Sequence, residues 1–253
     1  MFKYRIDNEF AFVSNLEKES KIPINDFKQP NPELGFSIKS QLGGASTLLN
    51  AGKTTNFIFK INNLNFTQNQ ISEINEIETR SKIKDRIEQV TKLGGNLQFD
   101  KTESSVFGNN LILIDSALPK IVAESLLLFF SSNYSTISEL TSQISDKNPL
   151  GYNLETNHPF YSYKIKRFLT DIALGMMPSK VWTGEIDATG GYLVVKENGE
   201  VLCYHIYNRN QFEDYLFVNT KLETASSTRH DFGKIFEENG QYYIKLNLQI
   251  RFK

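Results

Sequence analysis

The first sixty residues place apolar and polar side chains in short stretches of period two. Residues 10–13 and 21–27 have the texture of strands, and Pro30-Asn31-Pro32 supplies a turn signal before the next one. In that next stretch Phe36 and Ile38 alternate with Ser37, Lys39 and Gln41, so strand geometry puts three polar side chains on one face and the apolar pair on the other. The expected element is a hairpin that closes on a strand carrying a lysine, with a further strand over 55–61. After that the period changes. Thr67-Gln-Asn-Gln70 has capping-box spacing, Ile71, Ile74, Ile77, Ile83, Ile87 and Val90 recur at helical intervals, and Gly94-Gly95 stops the run. One amphipathic helix of several turns is predicted there. Its polar face carries Glu73, Glu76, Arg80, Lys82, Lys84, Asp85 and Arg86, a mixed set that reads as a solvated surface. Further helices are predicted near 110–131, with Pro119 as a start or a kink, near 136–146 and near 160–176.

Beyond Trp182 the alternation returns. Residues 192–196 and 201–207 flank Asn198-Gly199, and residues 233–238 and 242–252 flank Asn239-Gly240, two hairpins whose turn pairs favour type I′ geometry. The last strand is predicted as a continuous run to Phe252. The fold class is therefore α/β (α+β), a mixed central sheet flanked by helices, with C-terminal β-hairpins. A single domain over 1–253 is expected, with a division near 150 into a hairpin and helical part, 1–150, and a β-rich part, 151–253.

Composition narrows the function classes. A chain of 253 residues with 40% hydrophobic and 23% charged side chains, 19 Phe and 11 Tyr buries a full core, and a formal charge of −1 excludes a wholesale electrostatic binder while leaving room for a local basic groove. A lone Cys203 cannot form an internal disulfide, the N-terminus has no apolar signal region, and Asp115, Lys120 and Glu124 interrupt the richest apolar stretch. The expectation is a cytoplasmic protein with no membrane association.

Gly52-Lys53-Thr54 suggests a phosphate loop, but Thr47 stands where that motif needs its first glycine. His158, His205 and His230 lie far apart without carboxylate or thiol at ligand spacing, which makes structural histidines a better reading than zinc ligands. The hairpin remains. Metal-dependent phosphodiester hydrolysis needs carboxylates to hold Mg²⁺ against a phosphate oxygen and a lysine to orient water and offset developing charge. Across the Pro-Asn-Pro turn, Asp26 can approach the face of Ser37 and Lys39, with Glu19 farther back, although Asp26 also fits an ordinary turn-initiating residue.

The run Gly35-Phe-Ser-Ile-Lys-Ser-Gln-Leu-Gly43, with Thr47-Leu-Leu-Asn50 and Thr55-Asn-Phe-Ile58, resembles type II restriction endonucleases of the HpaII family. Later stretches continue the likeness, among them Asn148-Pro-Leu-Gly151, His158-Pro-Phe-Tyr161, Pro178-Ser-Lys-Val-Trp182 and Lys245-Leu-Asn-Leu-Gln-Ile-Arg-Phe252. The resemblance implies a PD-(D/E)xK-like nuclease with a restriction-endonuclease-like fold, Mg²⁺ as cofactor and double-stranded DNA as partner, cut at a short palindrome, CCGG for the namesake. On that reading Asp26 binds metal, with Glu19 as the fallback ligand, Lys39 aligns the attacking water, and Gln41 or Ser37 assists. The chain departs from the superfamily pattern at Ser37, where an acid is expected, so the second ligand falls to Gln41, to a helix carboxylate such as Glu73 or Glu76, or to none. Family members also carry further sequence ahead of the hairpin, which implies a chain lacking an N-terminal region. The alternative is a truncated or catalytically decayed DNA-binding remnant. For base readout the polar segment 220–231 offers Arg229 and His230 with Ser227 and Thr228, then Asn208 and Arg209, while Lys180 is a phosphate contact. A palindromic site implies a homodimer.

Overall fold

A computed structural model of the protein describes residues 35–42, 45–186, 188, 190–205 and 208–253. The expected first strands, the 30–32 turn, Glu19 and Asp26 lie outside these residues. In chain order the elements are β1 (Phe36–Ser40), β2 (Thr47–Leu49), a 3-10 turn (Lys53–Thr55), β3 (Asn56–Asn62), α1 (Gln68–Asn75), α2 (Lys82–Lys92), β4 (Asn96–Thr102), α3 (Ser105–Ile114), α4 (Leu118–Ser131), α5 (Ile137–Lys147) and α6 (Phe160–Leu174). The remainder is β5 (Gly191–Val195), β6 (Val201–Tyr204), α7 (Arg209–Asn219), β7 (Thr220–Leu222), α8 (Ser227–His230), β8 (Ile235–Glu238), β9 (Gln241–Asn247) and β10 (Ile250–Phe252). This is an α+β fold.

The described strands form three sheets, in the orders β1-β5-β6, β2-β10-β7 and β4-β3-β9-β8. The first sheet is mixed: β1 runs parallel to β5, with Ser37 opposite Tyr192 and Lys39 opposite Val194, and β6 returns antiparallel. The other two join strands from both ends of residues 35–253, because β3 sits between β4 and β9 and β10 sits between β2 and β7. Phe57, Phe59 and Ile61 of β3 are at most 1% exposed. Each such side chain contributes about 1.5–3 kcal/mol by burial, which makes β3 a main anchor of the fold. α4 is apolar around most of its circumference and accordingly buries Leu118, Ile121, Val122, Ala123, Leu126 and Phe130.

Five local outcomes differ from the sequence pattern. The single helix predicted over 67–93 is two helices, α1 and α2, separated by residues 76–81. The break has a physical cause in Arg86, whose guanidinium donates to the carbonyls of Asn75 (2.8 Å), Ile77 (2.8 Å) and Gly233 (2.6 Å), so the last carbonyl of α1 and one of the connection face a side chain instead of a helical turn. The helix predicted over 110–131 likewise divides, and Pro119 stands in the first turn of α4, where its missing N–H costs nothing.

The long last strand divides at residues 248–249. The side chain of Asn247 points inward, only 2% of the residue is exposed, and Leu248 donates its N–H to the Thr55 carbonyl (3.0 Å), which redirects the chain into a different sheet. Helix α7 follows the second of the polar stretches without having been predicted, since its apolar anchors Phe212 and Leu216 are too few to set a period. The two Asn-Gly turns also differ. Asn239 and Gly240 both have positive φ (53° and 75°), as type I′ requires, whereas at the other turn only Gly199 does (φ 80°). There Gly199 donates to the Lys196 carbonyl (3.0 Å), making a turn over Glu197 and Asn198 followed by a glycine bulge.

Candidate active site

β1 positions the lysine. It is an edge strand of its sheet among the described residues, held to β5 by parallel pairing that extends beyond the strand ends through Gly190 N–H to the Gly35 carbonyl (2.7 Å) and Gln41 N–H to the Val195 carbonyl (2.8 Å). The alternation that the sequence predicts is observed, but with an unexpected consequence. Ile38 is 63% exposed, while Ser37 and Lys39 are half-buried. Ser37 and Lys39 of the polar face turn toward the protein, whereas of the apolar pair Ile38 is turned out and Phe36 is half-buried.

What that face meets is a cavity of about 570 Å³. Ser37, Lys39 and Phe36 form one side, Asn50, Gly52 and Thr54 a second, and the C-terminal end of α6 with Met176, Met177 and Ser179 a third. Its polar groups are hydroxyls, amides and one amine. Burial pushes the Lys39 ammonium below the usual lysine range, since taking a charge out of water disfavours the protonated form. Among the described residues no carboxylate forms an ion pair with it. An unpaired, half-desolvated cation in a cavity wall is suited to an anionic ligand, because the Coulombic attraction is less screened there than on the surface.

The second side of the cavity is held by buried amides. Asn247 Nδ2 donates to the carbonyl of Gly52 (2.8 Å) and to Asn56 Oδ1 (2.7 Å), and Thr55 Oγ1 donates to the Gly52 carbonyl (3.0 Å). Asn56 Nδ2 in turn reaches Glu103 (2.7 Å) and the carbonyl of His230 (2.9 Å) at the end of α8. One network of side-chain amides therefore ties the cavity wall to α8.

The structure brings some of the nominated residues together and separates others. Ser37 and Lys39 share the cavity wall, joined by Ser179, whereas Gln41 lies beyond the strand end and outside the lining. Lys180 is exposed beside it, with its carbonyl accepting from Asn110 Nδ2 (2.8 Å). Ser227, Thr228, Arg229 and His230 make up α8, with Arg229 exposed. Asn208 precedes α7, and Arg209 Nε is bonded to Glu213 (2.6 Å) one turn along that helix. Glu73 on α1 and Glu76 just after it are outside the cavity lining. Sequence reading missed Asn50, Gly52 and Thr54 as cavity residues. The available signal was the direct succession of a lysine strand and a small-residue loop, which folds back on the lysine through β2.

The profile of the family described as HpaII restriction endonuclease matches residues 12–252. The chain belongs to the HpaII restriction endonuclease family. One relative, described as type II restriction enzyme HpaII from Haemophilus parainfluenzae, is 55% identical over 240 residues, which cover 94% of this chain and 66% of that protein. The HpaII-family chain thus spans just under two thirds of this relative's length. No solved structure matches it. No helix of the described residues is long and apolar enough to cross a membrane.

Type II restriction enzymes generally need a divalent metal. Among the described residues no group of three His, Cys, Asp or Glu side chains could hold one, and the neutral oxygens of the cavity are too weak a donor set for a divalent cation by themselves. Asp26 and Glu19, the carboxylates nominated from sequence, are outside those residues, which leaves Lys39 and its neighbours as the described chemical groups of the site.

Proposed function

We propose that this HpaII-family protein is a type II restriction endonuclease that hydrolyses phosphodiester bonds in double-stranded DNA at a short palindrome, with CCGG as the site favoured by its family. The observation that carries this reading is Lys39, a half-buried amine without an ion-pair partner among the described residues, set beside Ser37 in the wall of a 570 Å³ cavity. A phosphodiester entering there meets a cation that offsets the charge growing on its non-bridging oxygens, and preorganised charge of this kind lowers the barrier more than a solvated lysine could. Ser37 stands two residues away on the same face and can accept or donate a hydrogen bond to the attacking water.

A divalent ion, Mg²⁺ by family resemblance, would supply Lewis-acid polarisation of the phosphate when bound. Asp26, with Glu19 as the alternative, is the proposed ligand, and Gln41 an assisting one. For recognition, Arg229 and His230 are proposed to read base edges with Ser227 and Thr228 beside them, Asn208 and Arg209 to flank them, and Lys180 to hold a phosphate. A two-fold symmetric site suits a homodimer, and a cytoplasmic location suits an enzyme acting on intracellular DNA.

The test is cleavage of a CCGG duplex against a scrambled duplex, with and without Mg²⁺, using wild type and Lys39→Ala. Mg²⁺-dependent cutting of the CCGG duplex alone, lost in the variant, is the expected result. Binding without cutting would overturn the enzyme reading and leave a DNA-binding remnant.

A further inference from the structure

The break between α1 and α2 re-sorts charges that a single helix would have mixed. Glu73 stays on α1, and Asp85 is turned back onto the hydroxyls of Thr79 and Ser81, the latter at 3.1 Å. What remains beside the connection is a second cavity of about 570 Å³, lined by Arg80, Lys82 and Lys84 on one side and by Ser226, Ser227 and Thr228 on the other, with no carboxylate in its wall. Two of the three cations are anchored. Lys82 pairs with Glu78 (2.7 Å), and Lys84 donates to the Ser132 carbonyl and lies 5.8 Å from the centre of the Phe129 ring. Arg80 is exposed and has no hydrogen-bond or ion-pair partner among the described residues.

Three cations, of which Lys82 is already paired with Glu78, face the hydroxyls of Ser226, Ser227 and Thr228, with no carboxylate among the lining residues. This is a donor set for a phosphodiester: charge from the long side chains, short hydrogen bonds from the hydroxyls, and a planar fork in arginine that matches two phosphate oxygens at once. We propose that this cavity is a phosphate-backbone site for duplex DNA, separate from the Lys39 cavity, with Arg80 as its principal contact and Ser227 and Thr228 as hydroxyl donors. The proposal rests on the DNA-cleaving function above and adds to it a place where the duplex is gripped without base reading. Its relation to the cleavage cavity is fixed by covalent and hydrogen-bonded structure, since His230, at the end of the helix that begins with Ser227, is tied through Asn56 and Asn247 to Gly52 in the cavity wall.

The experiment is a fluorescence-anisotropy titration of CCGG and scrambled duplexes, in EDTA to prevent cutting, over a series of salt concentrations. Wild type, Arg80→Ala, Arg80→Lys and Lys92→Ala are compared; Lys92, paired with Glu88 (2.6 Å) at the far end of α2, serves as the control cation. One phosphate contact contributes roughly 0.9 to the slope of log K against log salt. The expected result is that Arg80→Ala loses about that much slope and weakens both duplexes by a similar factor, about tenfold, while Arg80→Lys keeps the slope and Lys92→Ala matches wild type. If wild type binds DNA and Arg80→Ala keeps its slope and affinity, or if Lys92→Ala loses as much, the site is overturned and the nuclease reading stands. If wild type binds neither duplex, the site is overturned, and the nuclease reading is decided by Mg²⁺-dependent cleavage.

Discussion

Arg86 and Lys39 are two cations removed from water in the same protein, and their surroundings are opposite. Arg86 is 1% exposed, and its guanidinium satisfies three backbone carbonyls from α1, the α1–α2 connection and the loop before β8, as well as the Glu78 carboxylate (3.1 Å). Lys39 is half-buried and faces a cavity with no ion-pair partner among the described residues. A buried charge bonded to three carbonyls and a carboxylate holds the fold together, even with Nε left without a partner. One whose hydrogens are unused carries a standing cost, and natural proteins keep such costs where function needs them. The difference teaches which cation to assign to stability and which to chemistry, and each substitution below tests that division.

The largest effect belongs to Arg86. Removing it leaves the Asn75, Ile77 and Gly233 carbonyls without a donor, at about 1–3 kcal/mol each before water or relaxation relieves them. Arg86→Ala is expected to lose about 3–5 kcal/mol in urea denaturation, enough to unfold a domain of marginal stability. Arg86→Lys should recover little, because a point-charge ammonium cannot span carbonyls that a planar fork reaches together. A loss under 1 kcal/mol for Arg86→Ala would remove the contrast.

Lys39→Ala is the reverse case. Its stability should stay within roughly 0.5 kcal/mol of wild type, as for a substitution that breaks no partnered interaction. Cleavage should fall by about 10²–10³-fold, the cost of deleting one preorganised electrostatic contact to a transition state. Single-turnover rates at saturating enzyme, set beside affinity measured in EDTA, separate the two roles. If affinity falls as far as the rate, Lys39 grips the ground state and has no special place in the chemical step.

A smaller effect is expected in the network that holds the opposite wall of the cavity. Asn247→Ala leaves buried Asn56 Oδ1 without its donor and removes one of the donors to the Gly52 carbonyl, which keeps those of Thr55, and should cost about 1–3 kcal/mol by thermal denaturation. Because Gly52 lines the cavity, the cleavage rate should fall as well, by less than for Lys39→Ala. An unchanged rate in a destabilised variant would show that this wall supports the fold without setting the geometry of the site.

The same contrast explains what was legible in the sequence. Local signals are legible where the chain itself satisfies its backbone: the helix expected near 136–146 is α5, which Thr136 starts by accepting from Glu139 N–H, Pro119 sits in the first turn of α4, and Asn239-Gly240 takes the left-handed pair its residues favour. The misses fall where a distant side chain intervenes. Arg86 interrupts a helical period that is otherwise intact, and Asn247 turns inward at a position whose polarity reads as outward, because its partners Gly52 and Asn56 are nearly two hundred residues away in sequence. For the site, alternation alone put Ser37 and Lys39 on one face, but it could not say that this face, and not that of Ile38, turns inward. Pattern gives the two sides of a strand, and only tertiary packing chooses between them.

The smallest effect is the most exacting test of the idea that Lys39 is kept for function. Desolvation lowers its pKa in the folded protein below the 10.5 of a free lysine. The unfolded chain therefore holds this proton more tightly than the folded one, and protonated Lys39 opposes folding at neutral pH. As pH rises through the lowered pKa toward 10.5 the folded state gives up the proton, and the opposition fades. Lys39→Met keeps most of the side-chain volume and removes the charge. It should be at least as stable as wild type at neutral pH, by a margin that narrows as the pH is raised through the alkaline range, while remaining deficient in cleavage. A variant less stable than wild type at neutral pH, or a margin that widens with rising pH, would mean that the amine stabilises the folded state and has a structural partner. Lys39 would then stand with Arg86, and the assignment of the cavity to chemistry would lose its physical basis.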